Sequence, residues 1–315
     1  MAGMTAQIGY VAETTYGTSP SLSGARFLPL ISEDLALEND RIESEGIVTG
    51  SYVLESEQWA PGIDMVGGEI QHELYQQGCG VLFNNMFGSA TSSATGGIAT
   101  HTFTPGDLTG QGLTIQVGRP MSNGTVVPYT YAGCKVAEFE ISLAAGEFAQ
   151  LGLTILGQTE TDGIALQAAT FLTGAKRPFI FSSGSITISG SSVCVREATI
   201  AGNNNLADDR QCVGQTYIDE PLQVDLATYD GTLTIEFSST AQYSRFKQGL
   251  EFPVVLNLTG ASSARCTITM NARYDGKTPG VEGRELLVVE YPFKAIKPAS
   301  GEAIQAVLVN SQTSL

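Results

Sequence analysis

Two histidines, five cysteines and many carboxylates are the residues of this chain whose types could do chemistry. Acid–base or nucleophilic catalysis needs such a group held beside a partner that tunes its pKa. His72 falls on a strand pattern, and His101 lies beside a stretch rich in Ser and Gly. No Gly-x-Ser-x-Gly elbow of a serine hydrolase occurs in the chain. We therefore interpret both histidines as core or surface residues and predict no catalytic residues.

The carboxylates raise a second possibility, a glycoside hydrolase that uses a pair of acids. With 32 Asp and Glu in the chain many such pairs arise by chance, and solvated strand faces explain them better. Asp208-Asp209 and the Asp-Gly turns lack the Asp-x-Asp-x-Asp-Gly spacing of a calcium loop. The chain also lacks the glycine-rich motifs that cradle phosphates. We expect neither a metal nor a cofactor.

The cysteines indicate reduced thiols in a protein made in the cytosol. Their number is odd and no two are spaced as Cys-x-x-Cys, so neither a disulfide framework nor a zinc cage is predicted. They are Cys79, Cys134, Cys194, Cys212 and Cys266. The first residues lack the regions of a signal peptide, and no stretch approaches the roughly 20 apolar residues of a membrane span. We expect no membrane insertion.

Composition favours strands and excludes several classes of partner. Charged residues make up 15% of the chain and apolar residues 42%, with 36 glycines, a balance typical of an all-β protein. The net charge of −16 disfavours tight binding to duplex DNA or to an anionic lipid surface, because both need clustered Lys and Arg. The same charge is compatible with a protein that stays near DNA without binding it.

The elements that must position any functional side chain are mostly strands, predicted by alternation of apolar and polar residues. The clearest strands are at 135–143, 232–237 and 266–271. Helical spacing of apolar residues predicts only two short helices, at 75–87 and 239–247. A stretch rich in Ser, Thr, Gly and Ala, residues 88–112, is predicted to be a loop, and residues 277–283 to be an excursion.

The two halves of the chain resemble each other weakly, which predicts two domains. Setting Gly68 beside Gly231 places His72 on Ile235, on the apolar face of the strand. Strand, helix and strand then follow in the same order in both halves. Chance similarity between two β domains is the alternative. The predicted domains are 1–165, with an N-terminal arm and a long loop, and 166–315.

The order of these segments is similar to that of a known family. Residues 8–18, Ile-Gly-Tyr-Val-Ala-Glu-Thr-Thr-Tyr-Gly-Thr, resemble the start of the larger tail tube (major tail) proteins of long, non-contractile-tailed bacteriophages, the type with two tube domains. The segments that follow in the family's order are Phe27-Leu28-Pro29-Leu30, an acidic run to Asp40-Arg41, and the glycines at 50, 67 and 68. The stretch 196–206 with Asp209-Arg210 and Gly214 resembles the second tube domain.

The resemblance implies a mainly β fold of two tandem tail-tube-type antiparallel β-sandwich or barrel domains, each with a short flanking α-helix. It implies a structural virion protein, not an enzyme, whose stacked rings form the tail tube and enclose a negatively charged channel for genome delivery. The implied partners are further copies of the chain, the tape-measure and tail terminator proteins, and double-stranded DNA that passes without specific binding. Assembly in the host cytoplasm would place the product in the virion tail. Two tube domains per chain favour trimeric, pseudo-hexameric rings, with hexameric rings as the alternative.

Two polar strand faces are candidates for the wall of the channel. One comprises Glu69, Gln71 and Glu73 with Thr232, Thr234 and Glu236; the other comprises Glu138, Glu140 and Ser142 with Thr267, Thr269 and Asn271. The candidate inter-ring loop is the segment 32–62, which is long and acidic and carries Arg41, Ile47, Val48, Tyr52 and Trp59. A β-sandwich adhesin or carbohydrate-binding module is the alternative function, although Trp59 is the only tryptophan that could stack on a sugar.

Overall fold

A computed structural model describes residues 2–276, 278, 280 and 286–315, and antiparallel strands dominate it, as predicted. The first half contains β1 (Gln7–Ala12), β2 (Arg26–Leu28), β3 (Ser32–Glu33), β4 (Ala36–Glu43), β5 (Trp59–Glu73), α1 (Gly80–Phe87), β6 (Gly88–Thr95), β7 (Ile98–Pro105), β8 (Leu113–Pro120), β9 (Val126–Ala144), β10 (Gln150–Gly157) and β11 (Thr159–Thr161). The second half contains β12 (Gly184–Ile188), β13 (Ser191–Ser192), β14 (Val195–Asn203), β15 (Thr228–Glu236), α2 (Ala241–Gln248), β16 (Glu251–Thr259), β17 (Arg265–Tyr274), β18 (Val288–Ala295) and β19 (Ile304–Asn310). Short 3₁₀ turns cover Ala2–Thr5, Leu22–Gly24 and Phe181–Ser183. The predicted excursion at 277–283 lies outside the described residues except for 278 and 280.

One antiparallel sheet, which we call the long sheet, runs through both halves of the chain. Its neighbouring strands, in order, are β4, β5, β10, β9, β14, β15 and β18. The halves join where β9 pairs with β14, with Glu138 across from Asn203 and Ala144 across from Glu197. Because side chains alternate along each strand, and the strands stay in register between a few bulges, alternate residues form one face across the whole sheet.

A second sheet contains β12, β16, β17, β19, β7 and β6, in that order. Its C-terminal strand β19 pairs with β7, so the end of the chain is built into the first half. The last three residues of β17, 272–274, pair with β18 and therefore connect the second sheet to the long sheet. A smaller sheet of β2, β1 and β8 continues into the first part of β9 and β11.

Apolar side chains from both sheets and from α1 form one hydrophobic core. The ring of Phe87 on α1 stacks on Tyr229 of β15, with 6.0 Å between ring centroids, and lies 5.3 Å from the ring of Phe139 on β9. Complete burial of an aromatic ring of this size stabilises the fold by about 1.5–3 kcal/mol. The two halves thus share the side chains of a common core.

The helix α1 is shorter than the one predicted over 75–87. Gly78 has a φ of 90° and donates its N–H to Gln312 Oε1, so the chain before residue 80 is not helical. The helix ends at Gly88, whose left-handed φ of 85° suits a residue without a Cβ. The second predicted helix, over 239–247, is confirmed as α2. No helix in the described part of the chain combines the length and apolar character needed to cross a bilayer.

The prediction of a loop over 88–112 is wrong for most of that stretch. β6 and β7 form a hairpin there, and its two-residue turn is Gly96-Gly97. Their φ values of 62° and 81° meet the requirement of a type I′ turn for positive φ at both central residues. The error has a physical reason. β7 buries every second residue, but the small and hydroxyl-bearing side chains of this hairpin weaken the apolar alternation that indicates a strand.

Candidate assembly surfaces

One side of the long sheet is covered by polar side chains, and we call it the acidic face. The strand register carries this face across the sheet: Glu69 lies across from Thr154, Glu138 across from Asn203, and Thr232 across from Pro292. Its carboxylates are Glu38, Glu69, Glu73, Glu138, Glu140, Glu197, Asp230, Glu236 and Glu290. The other side of the same strands buries apolar residues, and that burial fixes which face is exposed to solvent.

The structure brings together residues that the sequence divided between two candidate faces. On the acidic face lie Glu69, Gln71, Glu73, Glu138, Glu140, Ser142, Thr232, Thr234 and Glu236. The grouping of Glu138 and Glu140 with Thr267 and Thr269 is wrong, because β17 pairs with β16 and β19 along those threonines, in the second sheet. Alternation shows which side chains of one strand share a face, but it does not show which strands are neighbours.

The centre of the acidic face is a groove of about 430 Å³. Carboxylates from three strands line it, at Glu69, Glu138, Glu140 and Asp230, and Asn203 Nδ2 donates a hydrogen bond of 2.6 Å to Glu138. Among the described residues, no group of three His, Cys, Asp or Glu side chains is arranged to hold a metal ion. The groove therefore presents negative charge to solvent without an organised cation site.

The basic groups of the acidic face lie on one side of this groove, toward the β18 edge of the long sheet. Arg196 pairs with Glu236, with 2.7 Å between Nη2 and the carboxylate oxygen, and both side chains are partly exposed. Lys294 on β18 lies across from Asp230. Arg273, at the end of β17, lies across from Lys294 and pairs with Asp275, so these cations cluster at one edge and the field over Glu69, Glu138 and Glu140 stays negative.

Both histidines are buried and hydrogen-bonded inside the core. The Tyr10 hydroxyl donates to His72 Nε2 at 2.6 Å, and His72 Nδ1 donates to the Pro29 carbonyl at 2.7 Å. Burial lowers the pKa of His72 to about 4, against a smaller opposing effect of the Pro29 hydrogen bond. His101 bonds to Ser92 and to the carbonyl of Gln312, each at 2.7 Å. These partners fix side chains between strands and contain no charged group that would complete a catalytic triad.

The predicted inter-ring segment, residues 32–62, begins along the edge of the long sheet, and its outer part, residues 41–62, which we call the arm, extends beyond the strands that pair with β10. Much of the segment predicted as a loop is a hairpin, in which β4 pairs with the beginning of β5 and residues 44–58 connect the strands. Of the five residues singled out in the sequence, Arg41 and Trp59 are on these strands, and the Arg41 guanidinium lies 5.8 Å from the Trp59 ring. The other three, Ile47, Val48 and Tyr52, are in the connection, and Tyr52 is fully exposed.

The corresponding segment of the second half, residues 204–227, is folded back on the first half instead of projecting. Its Glu220 carboxylate lies 2.6 Å from Nζ of Lys135, a fully buried lysine on β9. The same ammonium donates to the carbonyls of Leu108 and Pro221, at 2.8 and 2.9 Å. Burial lowers the pKa of Lys135, while Glu220 acts in the opposite direction. Sequence reasoning missed this ion pair, because a lysine at the start of a strand pattern carries no sign of a partner 85 residues away.

Comparison with known proteins gives one family. A family model described as phage tail tube protein matches residues 3–295, nearly the whole chain. No curated protein matches the chain.

Proposed function

Because the chain belongs to the phage tail tube protein family, we propose that its copies form stacked rings whose acidic faces line a channel for genome delivery. Family membership makes the chain a structural protein of the virion tail that assembles with copies of itself into a tube. The proposal adds how the copies are arranged and which surface meets the DNA.

The observation that carries this proposal is the continuity of the acidic face across both halves. Duplex DNA carries one negative charge per about 1.7 Å of its axis. A wall of carboxylates repels that charge over a Debye length of about 8 Å at physiological salt. The cations Arg196, Lys294 and Arg273 lie toward one edge of the face, beside the carboxylates Glu236, Asp230 and Asp275, so the face offers no row of unpaired cations to hold phosphates. A duplex inside the channel would therefore slide without being bound.

The ring we propose contains three chains. Both halves contribute strands to the long sheet, which supports two tube domains per chain, over 1–165 and 166–315. Three chains then provide six domains around the channel, a pseudo-hexameric ring, while a ring of six chains is the alternative. The heterologous contact between neighbours closes on itself in the plane of the ring, which ends sheet growth without exposed edges.

The arm is the element proposed to join successive rings. It is acidic, extends beyond the sheet and exposes Ile47, Tyr52 and Trp59. Exposed aromatic and aliphatic side chains of this kind are typical anchors of protein interfaces. The tape-measure protein inside the tube and a terminator protein at its end are the further partners proposed, with assembly in the host cytoplasm before the tail joins the virion.

Electron microscopy of the purified chain tests this arrangement. Rings or tubes are expected at high concentration, with threefold rotational symmetry and a ring mass of three times 33.2 kDa after dissociation. A sixfold tube whose rings contain six chains would replace the trimer with the hexamer. Protein that stays monomeric at every concentration would contradict the proposed assembly.

A further inference from the structure

The two halves place equivalent strands side by side in the long sheet. In the first half Ala36 lies across from Gly67, a register that brings Leu35 opposite Gly68; in the second, Ile200 lies across from Gly231. With Gly68 aligned to Gly231, β3 and β4 are therefore equivalent to β14. In this register Leu-Ala-Leu-Glu-Asn at 35–39 and Ile-Ala-Gly-Asn-Asn at 200–204 are identical at the Ala and the last Asn, and both begin with a branched apolar residue. Asn39 is the counterpart of Asn204.

The same comparison makes β9 equivalent to the end of β17, in the direction of the strand order that leads away from β4 and β14. Ile155 of β10 lies between Gly68 and Val136 of β9. Phe293 of β18 lies in the same way between Gly231 and Tyr274 of β17. Tyr274 therefore corresponds to Val136. The preceding residue is basic in both halves, Lys135 in one and Arg273 in the other.

One of these joints is complete within the chain. β14 covers the edge of β9, and the Asn204 backbone N–H donates to the Ala137 carbonyl at 2.8 Å. The Asn204 side chain donates to the carbonyls of Val136 and Met86, at 2.9 and 3.2 Å. Asn204 thus links the two halves through both its main chain and its side chain.

The equivalent edges at the two ends of the long sheet have no such partner among the described residues. There β3 and β4 pair with β5 alone, and the side of β17 that pairs with β16 is occupied only as far as Arg273. Asn39 Nδ2 contacts Asp64 of its own chain, which uses one of its two N–H groups. The Asn39 amide oxygen is buried without a hydrogen-bond partner.

We propose that the joint between β9 and β14 is repeated between neighbouring chains. This proposal rests on the ring assembly proposed above. Residues 38–40 of one copy pair antiparallel with residues 274–276 of the next copy, in the register of the internal joint. Asn39 then takes the role of Asn204, and its free N–H donates to the carbonyl of Tyr274 in the next copy. Glu38 lies across from Gly276, as Asn203 lies across from Glu138 within the chain. A second copy of this chain is the occupant because the chain already contains the complementary edge.

A designed disulfide tests this register. Because Asn204 and Ala137 form a hydrogen-bonded pair, Asn203 and Glu138 are a non-hydrogen-bonded pair, with Cα atoms about 4.5 Å apart, which a disulfide can span. The variant is Glu38→Cys with Gly276→Cys. A Cβ at Gly276 would meet only Pro292, at 3.6 Å, so the substitution fits. The two exposed native cysteines are replaced throughout, as Cys194→Ser and Cys212→Ser.

After oxidation, non-reducing electrophoresis should show covalent dimers and higher oligomers up to the size of the ring. The control pair, Glu38→Cys with Arg265→Cys, moves the second cysteine to the far end of β17 and should give no ladder beyond dimers. Tubes without a ladder would overturn this joint and leave the tube intact. If neither tubes nor a ladder of covalent oligomers formed, both the joint and the proposed function would be overturned. A ladder without tubes would support the joint alone.

A milder variant keeps the proposal testable if the cysteine pair does not fold. Asn39→Ala should raise the protein concentration needed for assembly about tenfold and leave the thermal unfolding temperature of the monomer within about a degree of the parent. Asn123→Ala, in an exposed turn outside the proposed joint, is the matched control and should leave assembly unchanged. Equal assembly by the Asn39→Ala variant and the parent would contradict the assigned role of Asn39.

Discussion

Lys135 is a charged side chain buried where the two halves of the chain meet. Its ammonium has no exposure to solvent and is held by the Glu220 carboxylate and two main-chain carbonyls. Burial of a charge is tolerated only where such partners replace water, and removal of one partner leaves the others unpaired. The ion pair therefore holds the segment 204–227 against the first half.

Substitution of Lys135 by Met should destabilise the monomer. The side-chain volume is nearly kept, but Glu220 and two carbonyls lose their donor, and we expect a loss of about 2–4 kcal/mol. Lys297→Met is the matched control, because Lys297 forms an exposed pair with Glu302 that should contribute under about 1 kcal/mol. Urea unfolding monitored by circular dichroism measures the free energy of unfolding of both variants. Equal midpoints for the two variants would show that the buried pair contributes no more than the exposed one.

His72 makes the stability of the fold depend on pH. Its pKa is lowered to about 4 by burial, whereas an unfolded histidine has a pKa near 6.5. Below pH 6.5 the unfolded chain takes up a proton that the folded chain does not, so stability falls as pH falls from 6.5 to 4 and is unaffected by this group above that range. The loss is about 1.4 kcal/mol per pH unit, or about 3 kcal/mol in all.

Comparison with His72→Gln isolates this effect from the titration of carboxylates. Glutamine keeps an acceptor for the Tyr10 hydroxyl but has no proton to gain. Unfolding free energies measured by urea titration at pH 7, 6, 5 and 4 should fall less steeply for the variant than for the parent. Parallel curves over that range would refute the assignment of this pH dependence to His72.

At the scale of elements, local alternation predicts strands well and their neighbours poorly. The strand at 135–143 and the second helix follow from spacing alone, because side-chain periodicity is a local property. The contact of β9 with β14 is not local, and neither is the placement of Thr267 in the second sheet. The hairpin of β6 and β7 was missed because its strands are rich in small polar residues. The acidic face could therefore be predicted strand by strand but not as a single surface.

Deletion of residues 46–57 from the arm should abolish polymerisation without unfolding the subunit. The Ser44 N–H donates to the Gln58 carbonyl at 2.7 Å, so the two ends of the deletion lie side by side and can be joined by a short turn. β4 and β5 keep their pairing, and the far-ultraviolet circular dichroism should be unchanged. Tubes of normal length, seen by electron microscopy, would remove the arm from the contact between rings.

Point substitutions separate the apolar character of the arm from its length. Ile47→Ser with Tyr52→Ser removes two nearly fully exposed apolar groups and should raise the concentration needed for assembly at least about tenfold, equivalent to about 1.4 kcal/mol. Val213→Ser with Leu226→Ser is the matched control, because these residues are similarly exposed on the segment 204–227. The amount of protein that sediments as assembled material, measured at increasing total protein concentration, gives the concentration needed for assembly of each variant. An equal rise for the two pairs would mean that general surface hydrophobicity drives assembly.

At the scale of the whole molecule, the role proposed for the acidic face depends on a closed assembly. In a single chain it is one side of an open sheet, and its carboxylates are exposed to bulk water that screens them. In the proposed ring the same charges would surround the duplex from every direction, so repulsion from opposite walls would balance near the axis. A non-adhesive channel would therefore be a property of the proposed assembly, although each carboxylate is supplied by the register of one chain.

Charge reversal at one position of this face should turn the channel into a DNA-binding surface. Glu140→Lys changes each chain by two charge units, and repetition around and along the tube builds rows of lysines facing the phosphates. Tubes of this variant should retain short duplex DNA at low salt, release it as salt rises, and protect it from nuclease. Thr267→Lys with Thr269→Lys adds the same charge on the second sheet, where bound DNA should stay open to nuclease. Protection by the second variant and not the first would place the second sheet, rather than the acidic face, around the channel.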